Sequence, residues 1–92
     1  MKSFGEYIRR IREEKELPLR KVAAALDIDT SILSKIERNE RVATKEMIPI
    51  LAETLERPEK EIEIEFIQSV VESNLGDLKY LKDGLKEILK TL

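Results

Sequence analysis

Residues 19–38 carry the pattern that most restricts the fold, because it suits two short helices that cross at close range. A small residue is needed where two helices touch, and Ala23 lies in the middle of the first of them. Four residues later Asp27 occupies the turn, where the backbone needs a residue that tolerates a positive φ. The segment therefore predicts a helix on each side of a turn at 27–29. The positions that would face the interior are aliphatic: Val22, Leu26, Ile28, Leu33 and Ile36.

The spacing of apolar residues predicts further helices on both sides of this unit. Pro18 disfavours helix at Leu17, which ends the first helix, and it suits the first turn of the second. Asp29 is placed to cap the third helix with its side chain, and Asn39 is placed to stop that helix in a left-handed conformation. The predicted helices cover about 4–15, 19–26, 30–38 and 47–55, and a fifth begins after Pro58.

The C-terminal third has a regular apolar spacing. Glu and Ile alternate at 61–65, which would also suit a strand, but the spacing of three and four that follows favours a helix. This spacing then persists to the last residue, as in the seam of a coiled coil, with Asn74 as its one polar member. Either one helix of more than thirty residues reaches the end, or the chain breaks at 74–77. We favour the break, because Gly76 would stop one helix and Asp77 would cap the next. The predicted seam residues are Ile64, Ile67, Val71, Leu78, Leu81, Leu85, Ile88 and Leu92.

Composition argues against several classes of site. The 92 residues include no Cys, His or Trp, so the chain lacks thiolate and imidazole metal ligands and the usual general base. Acidic runs such as 59–65 lack the pattern of a calcium loop, and we interpret them as solvated faces. We therefore expect no enzyme, no metal, no cofactor and no small-molecule ligand. No stretch reaches the length of a membrane span and the first residues lack a signal-peptide pattern, so we expect a cytoplasmic protein without membrane contact.

The net charge of −2 conceals an uneven distribution. Residues 1–58 hold 12 Lys+Arg against 11 Asp+Glu, whereas residues 59–92 hold 5 against 8. Within 19–45 there are six basic and four acidic side chains. This weak basic bias permits nucleic-acid binding without requiring it.

Over about residues 4–57 the chain resembles the lambda-repressor/Cro-like DNA-binding domains, the Xre family of bacteria. Besides the two-helix unit, three segments carry the resemblance: IRRIREEK at 8–15, LSKIERN at 33–39 and LAETL at 51–55. It implies an all-α, lambda-repressor-like five-helix DNA-binding domain with an additional C-terminal helix. In that arrangement 1–57 is the helix-turn-helix domain and 58–92 is an acidic helical extension for dimerisation.

Some positions depart from the family pattern. The family usually has Ser or Thr followed by Gln at the start of the second helix, where the Gln side chain touches a DNA phosphate. This chain has Pro18 and Leu19 there, so we expect Arg20 or Lys21 to replace that contact. Glycines of the family are replaced at three positions, of which the third has no side chain suited to a left-handed backbone: Asp27, Asn39 and Glu16.

The resemblance places the helix at about 30–38 in the major groove, with its N-terminal half at the base edges. Lys35 is the best candidate for specificity, through guanine O6 and N7, with a phosphate contact as the alternative. Ile32 either packs as a partly exposed residue or touches a thymine methyl group. By the same resemblance Glu37 pairs with Arg12 instead of facing DNA. The implied base contacts are Thr30, Ser31, Ser34 and Lys35, and the implied phosphate contacts are Arg20, Lys21, Arg38, Arg41 and Lys45.

The resemblance implies a sequence-specific regulator of transcription that binds double-stranded DNA. One helix reads only a few base pairs, so we expect a homodimer on an inverted-repeat operator, joined through residues 64–92. Packing of that seam on the fourth helix is the alternative. Small family members include phage repressors, antitoxins and restriction–modification controllers, and the last favour a regulator linked to a restriction–modification or DNA methyltransferase locus. The alternative from another class is an antitoxin-like interaction module whose C-terminal helices bind a partner protein.

Overall fold

The computed structural model describes residues 3–92. Met1 and Lys2, which belong to the segment that lacks a signal-peptide pattern, lie outside the described residues. Within 3–92 the chain forms no strand, so residues 61–65 are helical, and the predicted all-α class is confirmed. None of the helices in that range is long and apolar enough to cross a membrane. The six helices are α1 (Phe4–Glu14), α2 (Leu19–Ala25), α3 (Thr30–Glu37), α4 (Met47–Thr54), α5 (Glu59–Leu75) and α6 (Leu81–Thr91).

Helix α1 starts at a side-chain cap and crosses α3 at very short range. The Ser3 hydroxyl accepts a hydrogen bond from the N–H of Glu6 at 3.2 Å, which satisfies one of the unpaired donors of the first turn. A Cβ atom on Gly5 would collide with the carbonyl oxygen of Ile36. The two helices therefore touch at backbone level, and Gly5 is required by this close approach. The buried apolar face of α1 consists of Phe4, Tyr7, Ile8 and Ile11.

Helices α2 and α3 form the predicted unit with a tight turn. Ala23 is buried at the crossing and Asp27 has a φ of 57°, as expected. Two details differ from the prediction. Ile28 is only half-buried against the core instead of fully enclosed, and Asp29 stands at the N-cap of α3 without making a side-chain capping bond.

The first four helices all end in the same way. The residue after each C-cap is not glycine but has a positive φ, and the next N–H reaches back five residues to a helix carbonyl. At the end of α3 the N–H of Glu40 donates to the carbonyl of Lys35 at 2.8 Å. The sequence predicted the left-handed backbone at Asn39. It also predicted strain at Glu16, which arises from the same left-handed backbone, but it did not predict a left-handed backbone at Glu56. The four residues are Glu16 (φ 55°), Asp27 (φ 57°), Asn39 (φ 62°) and Glu56 (φ 55°).

The N-terminal half of α5 closes the core. Ile62 is fully buried with Leu55, and α5 packs mainly on α4. The ring of Phe66 meets Phe4 edge to face at 5.3 Å between centroids. The backbone N–H of Phe4 donates to the Ser69 hydroxyl at 3.1 Å, which satisfies another unpaired donor of α1. This half of α5 is therefore part of the same packed body as α1–α4.

The chain breaks after α5, as the favoured interpretation predicted. α5 ends at Leu75, so a single helix over the C-terminal third does not form. Gly76 has an ordinary right-handed φ of −60°, not a left-handed one, and Asp77 does not cap α6. Tyr80 holds the N-cap position, and no side chain caps that helix end.

Helix α6 lies away from the core. It contributes no buried residue, so the alternative in which the fourth helix covers the C-terminal seam does not hold for α6. The radius of gyration is 14.4 Å, against about 12 Å for a compact chain of this length. The projecting α6 accounts for this extension.

Candidate nucleic-acid interface

Helix α3 has one buried face and one exposed polar face. Leu33, Ile36 and Glu37 are buried, and they attach the helix to α1 and α2. The opposite face carries polar residues at spacings of one, three and four, which places them on the same side of the helix. The four predicted base-contact residues lie there, three exposed and the third half-buried: Thr30, Ser31, Ser34 and Lys35.

A buried ion pair fixes the orientation of α3. Arg12 on α1 donates from Nε and Nη2 to both carboxylate oxygens of Glu37, at 2.7 and 2.9 Å, and from Nη1 to the carbonyl of Leu17 at 2.9 Å. This two-pronged geometry is the strongest that an ion pair adopts. The hydrogen bond to Glu37 raises the pKa of Arg12 and outweighs the opposing effect of burial. The predicted pair is confirmed, and it leaves α3 little freedom to rotate.

The predicted phosphate-contact residues lie in two exposed segments. Arg20 and Lys21 occupy the first turn of α2, and the other three follow α3: Arg38, Arg41 and Lys45. Arg38 donates to the carbonyl of Ser34 at 3.3 Å and lies 3.4 Å from the Glu40 carboxylate. Such an exposed pair adds little stability, so a phosphate could displace Glu40. Within residues 3–92, Lys35, Arg41 and Lys45 form no ion pair.

The exposed side chains between residues 19 and 45 have a larger excess of positive charge than the sequence of that segment as a whole. Glu37 is buried against Arg12, so it adds no negative charge to the exposed surface. Six basic side chains between residues 19 and 45 therefore face only three exposed acidic ones, Asp27, Asp29 and Glu40. This surface attracts an anion such as the phosphate backbone of a nucleic acid.

The side chain of Asp29 does not form the capping hydrogen bond that the sequence predicted. Its side chain was expected to bond within its own helix, but it is exposed and has no hydrogen-bond partner in the described part of the chain. A carboxylate at the first turn of α3, next to Thr30, can accept a hydrogen bond from the N4 amino group of cytosine. It also repels a phosphate. Its exposure is a tertiary outcome that no local pattern signals.

Ile32 behaves as the packing alternative predicted. It is half-buried and packs against the core. Its remaining surface lines a shallow depression with Ala24, Ile28 and the carboxylates of Asp27 and Asp29.

Six of the eight predicted seam residues are exposed, Val71 and Leu81 are half-buried, and the eight do not form one continuous stripe. Ile64 and Ile67 are exposed on α5, whereas Leu85 and Ile88 are exposed on α6 and Leu92 directly after it. The turn at 76–80 separates the two sets. Around this turn lies an apolar groove of about 510 Å³, to which Leu75, Tyr80 and Gly84 also contribute. The sequence pattern missed these three residues because they fall outside the spacing of three and four. The eight seam residues are Ile64, Ile67, Val71, Leu78, Leu81, Leu85, Ile88 and Leu92.

A small cavity connects the loop after α3 with α5. It measures about 80 Å³ and its walls include Arg41, Val42, Phe66, Ser69 and Asn74. The loop that contains Arg41 and the helix α5, which leads to α6, therefore line the same cavity.

Comparison with known proteins identifies the N-terminal part of the chain. A family model described as Helix-turn-helix, of the Xre/Cro type, matches residues 8–62, more than half of the chain. The match runs from α1 into the first turn of α5 and includes the buried Ile62. Searches among curated proteins and among solved structures give no significant match. The remainder of α5 and all of α6 lie beyond the matched range.

Proposed function

The chain belongs to the Xre/Cro-type helix-turn-helix family of DNA-binding transcriptional regulators, and from that premise we propose that it acts as a homodimer on an inverted-repeat operator. The observation that best supports this proposal is the exposed polar face of α3, held in place by the buried Arg12–Glu37 pair and flanked by basic side chains. Since the DNA of a bacterial cell lies in its cytoplasm, we place the protein there too.

In this proposal the two parts of the chain divide the work. Residues 1–57 bind DNA, and the acidic extension 58–92 joins two copies through its seam. α3 enters the major groove, where the hydroxyl groups of Thr30 and Ser31 and the amine of Lys35 meet base edges. The basic residues of α2 and of the loop after α3 hold phosphates, which sets the register of the protein on the duplex.

The dimer is needed because one α3 helix reads too little DNA. A second copy doubles the sequence that is read, and two-fold symmetry in the protein matches an inverted repeat in the operator. The half-sites would lie about one helical turn apart, or about 34 Å.

Selection from random double-stranded DNA, with purified full-length protein near physiological salt, tests this proposal. We expect one enriched inverted repeat. A matched control is Lys60→Ala, which removes an exposed lysine of α5 and should select the same repeat. Failure to enrich any motif, together with weak binding that salt abolishes, would contradict sequence-specific regulation.

By analogy with restriction–modification controllers, we also propose that the operator lies next to a restriction–modification or DNA methyltransferase gene. The selected repeat should then lie upstream of a restriction or methyltransferase gene in the source genome. Reporter transcription from that upstream segment, with and without the protein, tests the link. Unchanged transcription would remove this part of the proposal and leave the DNA-binding activity intact.

The second candidate is an antitoxin-like interaction module. The exposed apolar side chains of α6 favour it to the extent that they could bind a different protein. The purified protein alone discriminates the two candidates. A stable dimer that selects an operator supports the regulator, whereas a monomer that selects no DNA supports the interaction module.

A further inference from the structure

Gly84 is the glycine that the fold of one chain does not explain. It lies inside α6, where glycine is about 1 kcal/mol less favourable than alanine. A Cβ atom on Gly5 or Gly76 would collide with the chain's own backbone, whereas a Cβ on Gly84 would meet nothing within 4 Å. Its φ is not positive either. Neither internal packing nor backbone conformation therefore calls for glycine here.

Gly84 lies beside the apolar face of α6. Leu81, Leu85 and Ile88 stand three residues before it and one and four after it, and all of them line the 510 Å³ groove with Gly84. A glycine at the edge of an apolar helix face lets a second helix approach to backbone distance, as Gly5 does between α1 and α3.

We propose that α6 crosses α6 of a second copy of this chain, with the two-fold axis at Gly84. This inference rests on the proposed homodimer and states where its two chains meet. The crossing sets Leu81 of one copy against Ile88 of the other, because these residues lie on opposite sides of Gly84 at nearly equal separations. The same contact forms twice, as two-fold symmetry requires.

Charge favours α6 over α5 as the crossing helix. α5 carries five glutamates against one lysine, so two α5 helices side by side would repel each other. α6 carries three lysines against one aspartate and one glutamate, and two such helices repel far less. Charge therefore favours α6 of a second copy over α5 as the occupant of the groove.

The exposed apolar area is sufficient for such a contact. Six large hydrophobic side chains of α6 and the preceding turn are each 37–92% exposed. A standard interface buries on the order of 800 Å² on each partner, and six side chains of this size offer an area of that order. They are Leu78, Tyr80, Leu85, Ile88, Leu89 and Leu92.

Cross-linking tests the crossing directly, because the chain contains no cysteine of its own. In Gly84→Cys the two thiols would face each other at the axis, within the Cα separation of about 4.4–6.8 Å that a disulfide needs. Under mild oxidation this variant should give a covalent dimer. Lys86→Cys, on the opposite face of α6, is the matched control and should remain unlinked. Equal cross-linking of both variants, or none from Gly84→Cys while the dimer persists, would overturn the crossing.

Sedimentation of Gly84→Leu and Lys86→Leu gives a second test. Both variants add the same side chain, and neither touches the core, because α6 contributes no buried residue. Gly84→Leu should raise the dimer dissociation constant at least about 10-fold, or about 1.4 kcal/mol, while Lys86→Leu changes it little. Equal dissociation constants would overturn the crossing alone. A wild-type protein that stays monomeric at high concentration would overturn the proposed homodimer and this inference with it.

Discussion

Glu16 and Glu56 adopt the left-handed backbone that suits glycine, without a side chain that compensates for it. Asn and Asp tolerate this conformation because a short polar side chain can bond locally, whereas a glutamate gains no such bond. The left-handed turn ends α1 and α4, so chain reversal requires this backbone conformation at both positions but does not require a glutamate side chain. They are sites where stability has not been optimised.

Glu16→Gly should raise the free energy of unfolding by about 1 kcal/mol, since glycine enters the φ of 55° without strain. Urea denaturation measures the change. Asn39→Gly is the matched control at a φ of 62° and should gain less, because asparagine already tolerates that conformation. The flexibility that glycine adds to the unfolded chain opposes the gain in both variants, so an equal gain would show that strain particular to glutamate is not its cause.

Lys35→Ala should weaken binding to the selected operator by about 1–3 kcal/mol and weaken binding to random DNA much less. We expect this difference because the proposed contact of Lys35 with guanine O6 and N7 would form only on the operator. Arg41→Ala is the contrast, because loss of a phosphate contact should lower affinity for every sequence and reduce the salt slope by about one. Titrations at several salt concentrations measure both. If Lys35→Ala lowers both affinities equally, Lys35 is only a phosphate contact.

Tyr7 predicts an alkaline limit to stability. Burial, followed by the hydrogen bond from its hydroxyl to Glu61, raises its pKa above the ordinary value of about 10. The protonated form is therefore favoured in the folded state, so this stabilisation is complete below pH 10 and is lost as the pH rises above 10. Tyr7 should lower the free energy of unfolding by up to about 1.4 kcal/mol per pH unit there. Tyr7→Phe should be less sensitive between pH 10 and 11 in urea titrations; an unchanged pH profile would contradict this assignment.

At the scale of elements, α1 and α3 are joined by one ion pair and one close backbone contact. The Arg12–Glu37 pair is almost fully buried, with the Glu37 side chain 4% exposed. The pairs Arg9–Glu13 and Arg10–Glu14 on the outer face of α1 are about half-exposed. These two classes of ion pair differ in energy, because a buried charge that loses its partner remains desolvated.

Glu37→Ala should lower the free energy of unfolding by about 3–5 kcal/mol, since it leaves the Arg12 charge buried without its carboxylate. Glu13→Ala removes the matched exposed pair and should cost less than about 1 kcal/mol. Thermal or urea unfolding of the two variants measures the difference. Similar losses in both would mean that water reaches Arg12 and that the pair does not hold α3 in place.

The elements that could be predicted from sequence are those with local signals. The spacing of Ala23, Asp27 and the aliphatic residues between 22 and 36 predicted the α2–α3 unit, because each of these residues meets a steric need within the unit itself. The wrong details depend on distant contacts. Asp29 and Asp77 look like capping residues, but the first faces outward and the second precedes a turn that continues to Tyr80. The left-handed Glu56 carries no local signal, because glutamate is not a typical residue at such a position.

At the scale of the whole molecule, a compact core of five helices carries an exposed sixth helix. The core explains every buried side chain in the described residues, whereas α6 has an apolar face that the core does not cover. The sequence pattern predicted this apolar face but not its isolation, since the same spacing suits a helix that packs on its own domain. Only the direction in which the chain leaves Gly76 decides between the two.

Leu81→Asp should separate the proposed dimer without unfolding the core. Leu81 belongs to α6, and a carboxylate in its place would have to be desolvated at the contact between copies. The protein should become monomeric in sedimentation experiments and retain the cooperative unfolding of its core. Binding to the inverted repeat should fall by at least about 100-fold, while binding to a single half-site stays nearly unchanged, because the α3 surface is intact. Lys82→Asp, on the neighbouring polar face, is the control and should leave the dimer in place. A Leu81→Asp protein that loses the core together with the dimer would show that the seam packs within one chain, and both the divided roles of 1–57 and 58–92 and the crossing at Gly84 would then fail together.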